Sequence, residues 1–200
     1  MGLVTYTKFC GTVNDLTGPN PFTPSSSAAK VAALANEDSS YVSVTLPGAN
    51  DSNHLACINF SFDSLANVSD ILNIASITCT IIAKGQSNTE IDVLSLTLDG
   101  STENVTKDIT ISLTSSNQSF TATYSTTGIL PSDVFGNSNF GVIVGATNNG
   151  GGSRSVDIDS IYITVTSLIT EQYVNFGRNM FNQSRLFSSK ILTSEEFSKC

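Results

Sequence analysis

The stretch Asn139 to Ser167, NFGVIVGATNNGGGSRSVDIDSIYITVTS, has the pattern of two long β-strands joined by a glycine-rich connection. The residues on either side of the connection are rich in valine and isoleucine, which favour strands because their branched side chains pack well on a pleated surface. Asn148 to Gly152 supply residues that tolerate positive φ angles. We therefore predict a long antiparallel hairpin here, and such a pair needs further strands to cover its buried faces.

The chain before this stretch contains more strand patterns, with turn residues recurring about every 8 to 12 residues. Residues 29–34 are alanine-rich and fit either a strand or one helical turn, with the strand favoured. No long helical pattern occurs before residue 168. The fold class predicted is all-β, an antiparallel β-sandwich or jelly roll with a C-terminal, partly helical extension. The other predicted strands are 3–9, 41–46, 54–62, 74–83, 91–98, 105–113 and 118–124.

Three parts follow from this pattern: an N-terminal strand and proline-rich strap (1–28), the β-sandwich domain (29–168) and a C-terminal docking arm (169–200). The arm holds four of the nine basic residues and five aromatic ones, without a core of its own. Two interpretations stay open, because the arm could dock on a neighbouring protein or fold back on its own sandwich. The residues predicted to dock on a partner are Tyr173, Phe176, Arg178, Phe181, Arg185, Phe187 and Phe197.

Charge and hydropathy exclude several kinds of partner. The net charge is −8, and only 13% of the residues are charged, so Ser, Thr and Asn carry the surface. Nucleic-acid binding is not expected, because it needs clustered Lys and Arg. No apolar run is long enough to span a membrane, so no membrane partner is expected. The opening MGLVTYTKF lacks the features of a signal peptide, and we expect synthesis in a cytoplasm without ordinary export.

Metal and cofactor sites are not predicted. The four cysteines, Cys10, Cys57, Cys79 and Cys200, are not at metal-clip spacing, and His54 is the one histidine of the chain. Cys57 and Cys79 lie within apolar strand patterns, which predicts buried free thiols.

Catalytic residues are not predicted either. The chain has no Gly-X-Ser-X-Gly motif, and Gly150 to Arg154 lacks the lysine and following helix of a phosphate loop, so a hairpin tip is the favoured interpretation. Asp157 and Asp159 are two residues apart and share one face of an extended strand. Such a pair could hold Ca²⁺ or serve as a glycosidase dyad. Capping of nearby loop amides is favoured, because Asp commonly bonds local backbone near turns.

Several segments together resemble a β-sandwich family of tailed-phage virion proteins. The resemblance covers residues 36–166 and depends on the order and spacing of its segments. The family usually has Trp where Phe135 stands, which weighs against a sugar-stacking role there. The resemblance implies a structural or attachment component of the virion and no catalytic residues. The matching segments are SSYVSVTL (39–46), NHLACINFSF (53–62), ITCTIIAK (77–84), DVFGNSNFGVIV (133–144) and VDIDSIYITVT (156–166).

The function expected from the resemblance and composition is a non-enzymatic structural component of a tailed-phage particle. Its place would be the neck, tail, baseplate, fibre attachment or head decoration. Its partners would be other virion proteins and further copies of itself, and its location the virion. One alternative is a carbohydrate-binding or host-receptor-binding module of a tail fibre, with contacts from loops at one end of the sandwich, 47–53, 85–90 and 147–155. Another is a glycan-degrading enzyme, which depends on Asp157 and Asp159 alone.

Overall fold

Two antiparallel β-sheets packed face to face form the fold of the computed structural model, which describes residues 1–62, 68–106 and 110–169. The all-β sandwich predicted from the sequence is therefore confirmed. The strands are β1 (Gly2–Phe9), β2 (Thr12–Asp15), β3 (Val42–Leu46), β4 (Asn50–Asp51), β5 (Leu55–Ile58), β6 (Ile71–Gly85), β7 (Thr89–Thr97), β8 (Ile111–Ser112), β9 (Gln118–Tyr124), β10 (Gly141–Asn148) and β11 (Arg154–Ile169). Two short α-helices, α1 (Ser27–Leu34) and α2 (Pro131–Val134), and a 3₁₀ helix at Val68–Asp70 accompany them.

Each sheet is built around one of the two strands of the opening stretch. Sheet 1 has the order β1-β11-β6-β9, and β3 also pairs with β11 beyond the end of β1. Sheet 2 has the order β2-β5-β10-β7-β8, and β4 also pairs with β10. The N-terminal region contributes an edge strand to each sheet, β1 to sheet 1 and β2 to sheet 2.

The predicted hairpin between β10 and β11 is wrong, because the two strands belong to different sheets. A strand has two edges, and both edges of each strand are already paired. β10 lies between β7 on one side and β5 with β4 on the other, whereas β11 lies between β6 on one side and β1 with β3 on the other. Gly152, at φ 89°, turns the chain from one sheet to the other. Residues 149–153 are thus a crossing connection and not a hairpin tip.

Residues 29–34 belong to the helix α1 and do not form the favoured strand. The Ser26 side chain caps it by accepting a hydrogen bond from Ala29 N at 3.3 Å. Lys30, Ala33 and Leu34 are its buried residues, a spacing of three and four that gives one helical face. This face packs against β2, β3 and β11.

The predicted strand 54–62 ends early, at Ile58. Asn59 and Ser61 have φ angles of 60° and 51°, which are incompatible with extended backbone. Asn59 instead accepts a hydrogen bond from Gly11 N at 2.9 Å through its carbonyl.

The predicted strand 105–113 is also shorter in the structure. It is reduced to a bridge from Val105 to Leu96 and to the two-residue β8, while 107–109 lie outside the described residues.

Side chains from both sheets and from α1 form one hydrophobic core. Val142 and Val144 of β10 belong to the same buried cluster as Ile161 and Ile163 of β11, so the two central strands meet face to face. Phe135, which stands where the resembling family has Trp, is buried and packs edge-on against Tyr6 and Phe62, with ring centroids 5.6 and 6.0 Å apart. It is therefore a core residue and does not present its ring to a ligand.

Candidate interaction site

The two carboxylates of the glycosidase alternative have separate structural contacts. Asp159 is buried, and its two oxygens accept hydrogen bonds from Ser39 N at 3.0 Å and from Asn117 Nδ2 at 2.7 Å. Asp157 lies beside Lys84, with 3.9 Å between carboxylate oxygen and ammonium nitrogen. The capping interpretation is confirmed for Asp159, whose carboxylate is occupied in holding two loops on the sheet.

His54, Glu103 and Ser95 are neighbours, but the Glu103 carboxylate stands between the imidazole and the serine. The serine is therefore not activated. Its Nδ1 lies 3.4 Å from Glu103 Oε1, and Ser95 Oγ donates to Glu103 Oε2 at 2.9 Å. A serine nucleophile needs the imidazole as its direct hydrogen-bond partner, so that the ring can take the hydroxyl proton. Here the carboxylate stands between the two, and the arrangement serves to hold residues 101–104 over sheet 2.

The surroundings of Cys57 and Cys79 make these two thiols weakly reactive. Cys10, Cys57 and Cys79 are free and buried, which confirms the sequence prediction for Cys57 and Cys79. A hydrogen bond with Cys10 and burial raise the pKa of Cys57, and burial raises the pKa of Cys79. A thiol with a raised pKa stays protonated at neutral pH and is a weak nucleophile. Cys200 lies outside the described residues.

The three loops proposed for glycan contact come together at one end of the sandwich. Ala49 N donates to Gly150 O at 3.1 Å, which ties loop 47–53 to loop 147–155. Asn149 N donates to Asn88 O at 2.8 Å, which ties the same connection to loop 85–90. The sequence prediction that these loops share one end is thus confirmed, and they form a continuous polar surface, here named the loop end.

Asn148 is the residue that organises the loop end. Its side chain is fully buried, and its Nδ2 lies 3.2, 3.0 and 2.9 Å from the carbonyl oxygens of Leu46, Pro47 and Gly152. Its Oδ1 accepts from Gly150 N at 2.9 Å. One buried amide therefore sets the path of two of the three loops, and the surface that they present is held in one shape.

A second surface of sheet 1 was not predicted from the sequence. Four adjacent strands each carry Thr-X-Thr, and the residue between the threonines points inward. Thr5 and Thr166 hydroxyls lie 3.0 Å apart, and those of Thr7 and Thr164 2.9 Å apart. The repeated motif was a visible signal, but only the strand order shows that its copies are neighbours. This threonine face consists of Thr5-Tyr6-Thr7, Thr78-Cys79-Thr80, Thr121-Ala122-Thr123 and Thr164-Val165-Thr166.

A contact between an aromatic and a cationic side chain lies beside the same sheet. Lys84 Nζ stands 3.9 Å above the centroid of the Tyr41 ring. Hydrogen bonds from Ser39 and Lys84 lower the pKa of Tyr41, and the bond to Tyr41 raises the pKa of Lys84. Phe9 and Tyr162 form an edge-on pair with centroids 5.6 Å apart at one end of the threonine face.

The remaining site predictions concern residues that the structure does not describe. The predicted docking residues Tyr173, Phe176, Arg178, Phe181, Arg185, Phe187 and Phe197 all lie outside the described residues. Within 1–62, 68–106 and 110–169, no group of three or more His, Cys, Asp or Glu residues is placed to hold a metal ion. Over the same ranges, no helix is long and apolar enough to cross a membrane.

Comparisons with known proteins yield similarities in structure only. No protein-family model and no curated protein matches the chain. A solved structure described as "CBM4 structure and function" has a TM-score of 0.38 and 13% identity, covering 78% of this chain and 92% of its own. The N-terminal cellulose-binding domain of Cellulomonas fimi β-1,4-glucanase C has a TM-score of 0.39 and 14% identity, covering 81% and 87%.

A third similar structure is the family 11 carbohydrate-binding module of the cellulosomal cellulase Lic26A-Cel5E of Clostridium thermocellum. Its TM-score is 0.33 with 12% identity, and the match covers 85% of this chain and 89% of that one. At these identities and TM-scores, none of the three similarities carries an argument about what this chain binds. The candidate functions below are argued from the residues of this chain.

Proposed function

We propose that this protein is a non-enzymatic structural component of a tailed-phage particle, joined to neighbouring virion proteins by residues 170–200. The sequence resemblance supports the phage assignment. The structural observation that carries the proposal is the position of Ile169. It ends β11, between Gly2 of β1 and Ile71 of β6, so the following segment starts from a strand that is paired on both edges. A force on that segment is transmitted to the centre of sheet 1.

The use of the ionisable groups supports a role without catalysis. Asp159 holds two loops, Glu103 bridges His54 and Ser95, and Asp15 pairs with the buried Lys30. Asp99 accepts hydrogen bonds from Ser101 N and Thr102 N at 2.8 and 2.7 Å, and these bonds lower the pKa of its carboxyl. Each of these groups is engaged in a structural contact.

Changing the aromatic residues of the arm tests the structural role. A full-length variant with Phe176, Phe181, Phe187 and Phe197 all replaced by serine is expected to stay folded but to be lost from particles. The physical reason is that a few buried residues dominate the binding energy of a protein interface, and that aromatic side chains are enriched in the interface core. Tagged parent and variant chains would be supplied to cells that produce particles, and the fraction co-sedimenting with purified particles would be measured.

A chain ending at Thr170 is the companion variant, since it keeps Ile169 and the core cluster, which spans Cys10 to Val165 among the described residues. Its thermal unfolding is expected to match that of the parent. Incorporation of both variants at the level of the parent would show that the docking role of residues 170–200 is wrong.

A second candidate function is glycan binding, favoured by the convergence of the three loops at the loop end. Hydroxyl and amide groups held by a buried hub are suited to recognise sugar hydroxyls through hydrogen bonds, since such groups both donate and accept. On this hypothesis, a glycan array probed with the full-length protein gives a signal that Ser87→Arg with Ser153→Arg abolishes. Both serines are exposed and belong to two of the loops.

Ser25→Arg is the matched control, because Ser25 is also exposed but lies outside the loop end. It is expected to leave the array signal unchanged. Absence of any signal from the parent protein, or equal signals from the parent and the double variant, would exclude glycan binding at the loop end.

A further inference from the structure

β1 is an edge strand with little of the usual protection against pairing with another chain. Its eight residues follow a register with β11 that has no bulge, from Gly2 opposite Ile169 to Phe9 opposite Tyr162. It contains no proline and a single charged residue, Lys8. Natural edge strands are normally blunted by bulges, prolines or charges, because their free backbone groups are a template for further strands. No described strand lies on the outer side of β1.

Exposed apolar side chains are concentrated at the same strand. Five large hydrophobic residues are exposed in the described part of the chain, and three of them are Met1 (77%), Leu3 (66%) and Phe9 (39%). Leu3 and Phe9 lie at the two ends of β1 and point to the same side of sheet 1 as Thr5 and Thr7. Val4 and Tyr6, on the inner side, are only half-buried. Each face of this edge thus has side chains that a neighbouring strand would cover.

We propose that β1 pairs in antiparallel fashion with β1 of a second copy of this chain, across a twofold axis. The pairing joins the two copies of sheet 1 into one continuous sheet. This surface goes beyond the proposed function, which uses residues 170–200. In a twofold interface, both copies use the same surface. If one residue contacts a second residue of the other copy, that second residue contacts the first residue of the other copy in return.

The sequence of β1 has this self-complementarity when the axis passes at Tyr6. Outward residues must then face outward residues, because strand side chains alternate between faces. Leu3 comes opposite Phe9 of the second copy, which buries the two exposed apolar ends against each other. Thr5 comes opposite Thr7, repeating the hydroxyl pairs that β1 already makes with β11 at 3.0 and 2.9 Å. Lys8 comes opposite Val4, so the two lysines do not face each other.

A double lysine substitution tests the pairing. Thr5→Lys with Thr7→Lys puts like charges directly opposite each other twice across the twofold axis, and such pairs are destabilising. We expect the dimer dissociation constant of the full-length protein to rise roughly tenfold or more. It would be measured by analytical ultracentrifugation over a concentration series. Thr121→Lys with Thr123→Lys is the control on β9, the opposite edge strand of the same sheet, and is expected to leave the constant within about twofold.

Cysteine cross-linking tests the register without requiring the dimer to weaken. In a Cys200→Ser background, Leu3→Cys with Phe9→Cys is expected to give a disulfide-linked dimer on mild oxidation by a small-molecule disulfide. Each single variant is expected to give much less, because Leu3 faces Phe9 and not itself. A dimer without this cross-link would overturn the proposed register.

Two other results would overturn the proposal itself. A parent protein that stays monomeric at its highest soluble concentration has no such interface. If that monomer becomes a dimer when the chain ends at Thr170, residues 170–200 cover β1 instead. Weakening by the β9 variant and not by the β1 variant would place the interface at the other edge. The co-sedimentation experiment on residues 170–200 is independent of the dimer measurement. Either result for particle incorporation therefore leaves the test of β1 pairing valid.

Discussion

Gly141→Ala is expected to lower the free energy of unfolding by roughly 3 kcal/mol or more, or to prevent folding. A Cβ atom at this position would lie 2.0 Å from the carbonyl oxygen of Cys57 and 2.8 Å from Cα of Ile58. Both are backbone atoms of β5, so no side-chain rotation can relieve the overlap. β10 is also held by β7 on its other edge, where Gly141 is opposite Thr97. Relief therefore requires separation of strands at the centre of sheet 2.

Urea denaturation monitored by circular dichroism measures this effect, with Gly151→Ala as the matched control. Gly151 lies in the connection that follows β10, and a Cβ there would meet no atom within 4 Å. The control is expected to change the free energy of unfolding by less than about 0.5 kcal/mol. A Gly141→Ala protein as stable as the control would contradict the close approach of β10 to β5.

The opening stretch shows which part of the fold could be predicted from the sequence. Alternation of valine and isoleucine with smaller or polar residues tells which face of a strand is buried, and this placed β10 and β11 correctly. The alternation does not tell which strands pair with the two edges of β10 or β11, because strand pairing uses backbone groups that nearly every residue has. The hairpin prediction therefore failed, although the strands themselves were right. The pairing was predicted from proximity in sequence and from the glycine-rich connection, whereas the edges of both strands are occupied by partners from distant parts of the chain.

The candidate surfaces also differ in whether the sequence predicts them. The loop end was predictable because strand ends in a sandwich meet at its two ends, and turn residues mark those ends in the sequence. The threonine face was not predicted, because it exists only once four Thr-X-Thr segments from distant parts of the chain are neighbours. The edge position of β1 also depends on strand order. Asn148 was predicted only as a turn residue, and its burial as the hub of the loops depends on contacts with residues 46–47 and 152.

Lys30 was not singled out in the sequence, and it supplies the last prediction. It lies on α1, is only 1% exposed, and its ammonium contacts the Asp15 carboxylate at the end of β2. Asp15 also accepts a hydrogen bond from Phe22 N at 3.3 Å. A buried lysine at neutral pH needs a charge partner, because removal of a charge from water is unfavourable unless it is paired. The ion pair thus ties α1, which also packs against β3 and β11, to the end of β2.

Asp15→Asn is expected to lower the free energy of unfolding by about 3 kcal/mol, because it leaves a buried ammonium without its counter-charge. Lys30→Met is expected to be milder, since it removes the buried charge and leaves Asp15, which is 23% exposed, in contact with water. Asp157→Asn is the matched control. Its pair with Lys84 is longer, at 3.9 Å, and both side chains are more than a quarter exposed. Exposed pairs contribute less than about 1 kcal/mol, so this variant should remain close to the parent.

Urea denaturation of the three variants under one set of conditions decides the role of the pair. The expected order of loss is Asp15→Asn, then Lys30→Met, then Asp157→Asn. An Asp15→Asn variant no less stable than Asp157→Asn would mean that Lys30 does not depend on Asp15. A double variant, Asp15→Asn with Lys30→Met, should recover part of the stability lost in Asp15→Asn, because it removes the unpaired charge. That recovery distinguishes a charge left without a partner from the simple loss of a contact, since a lost contact is not restored by a second deletion.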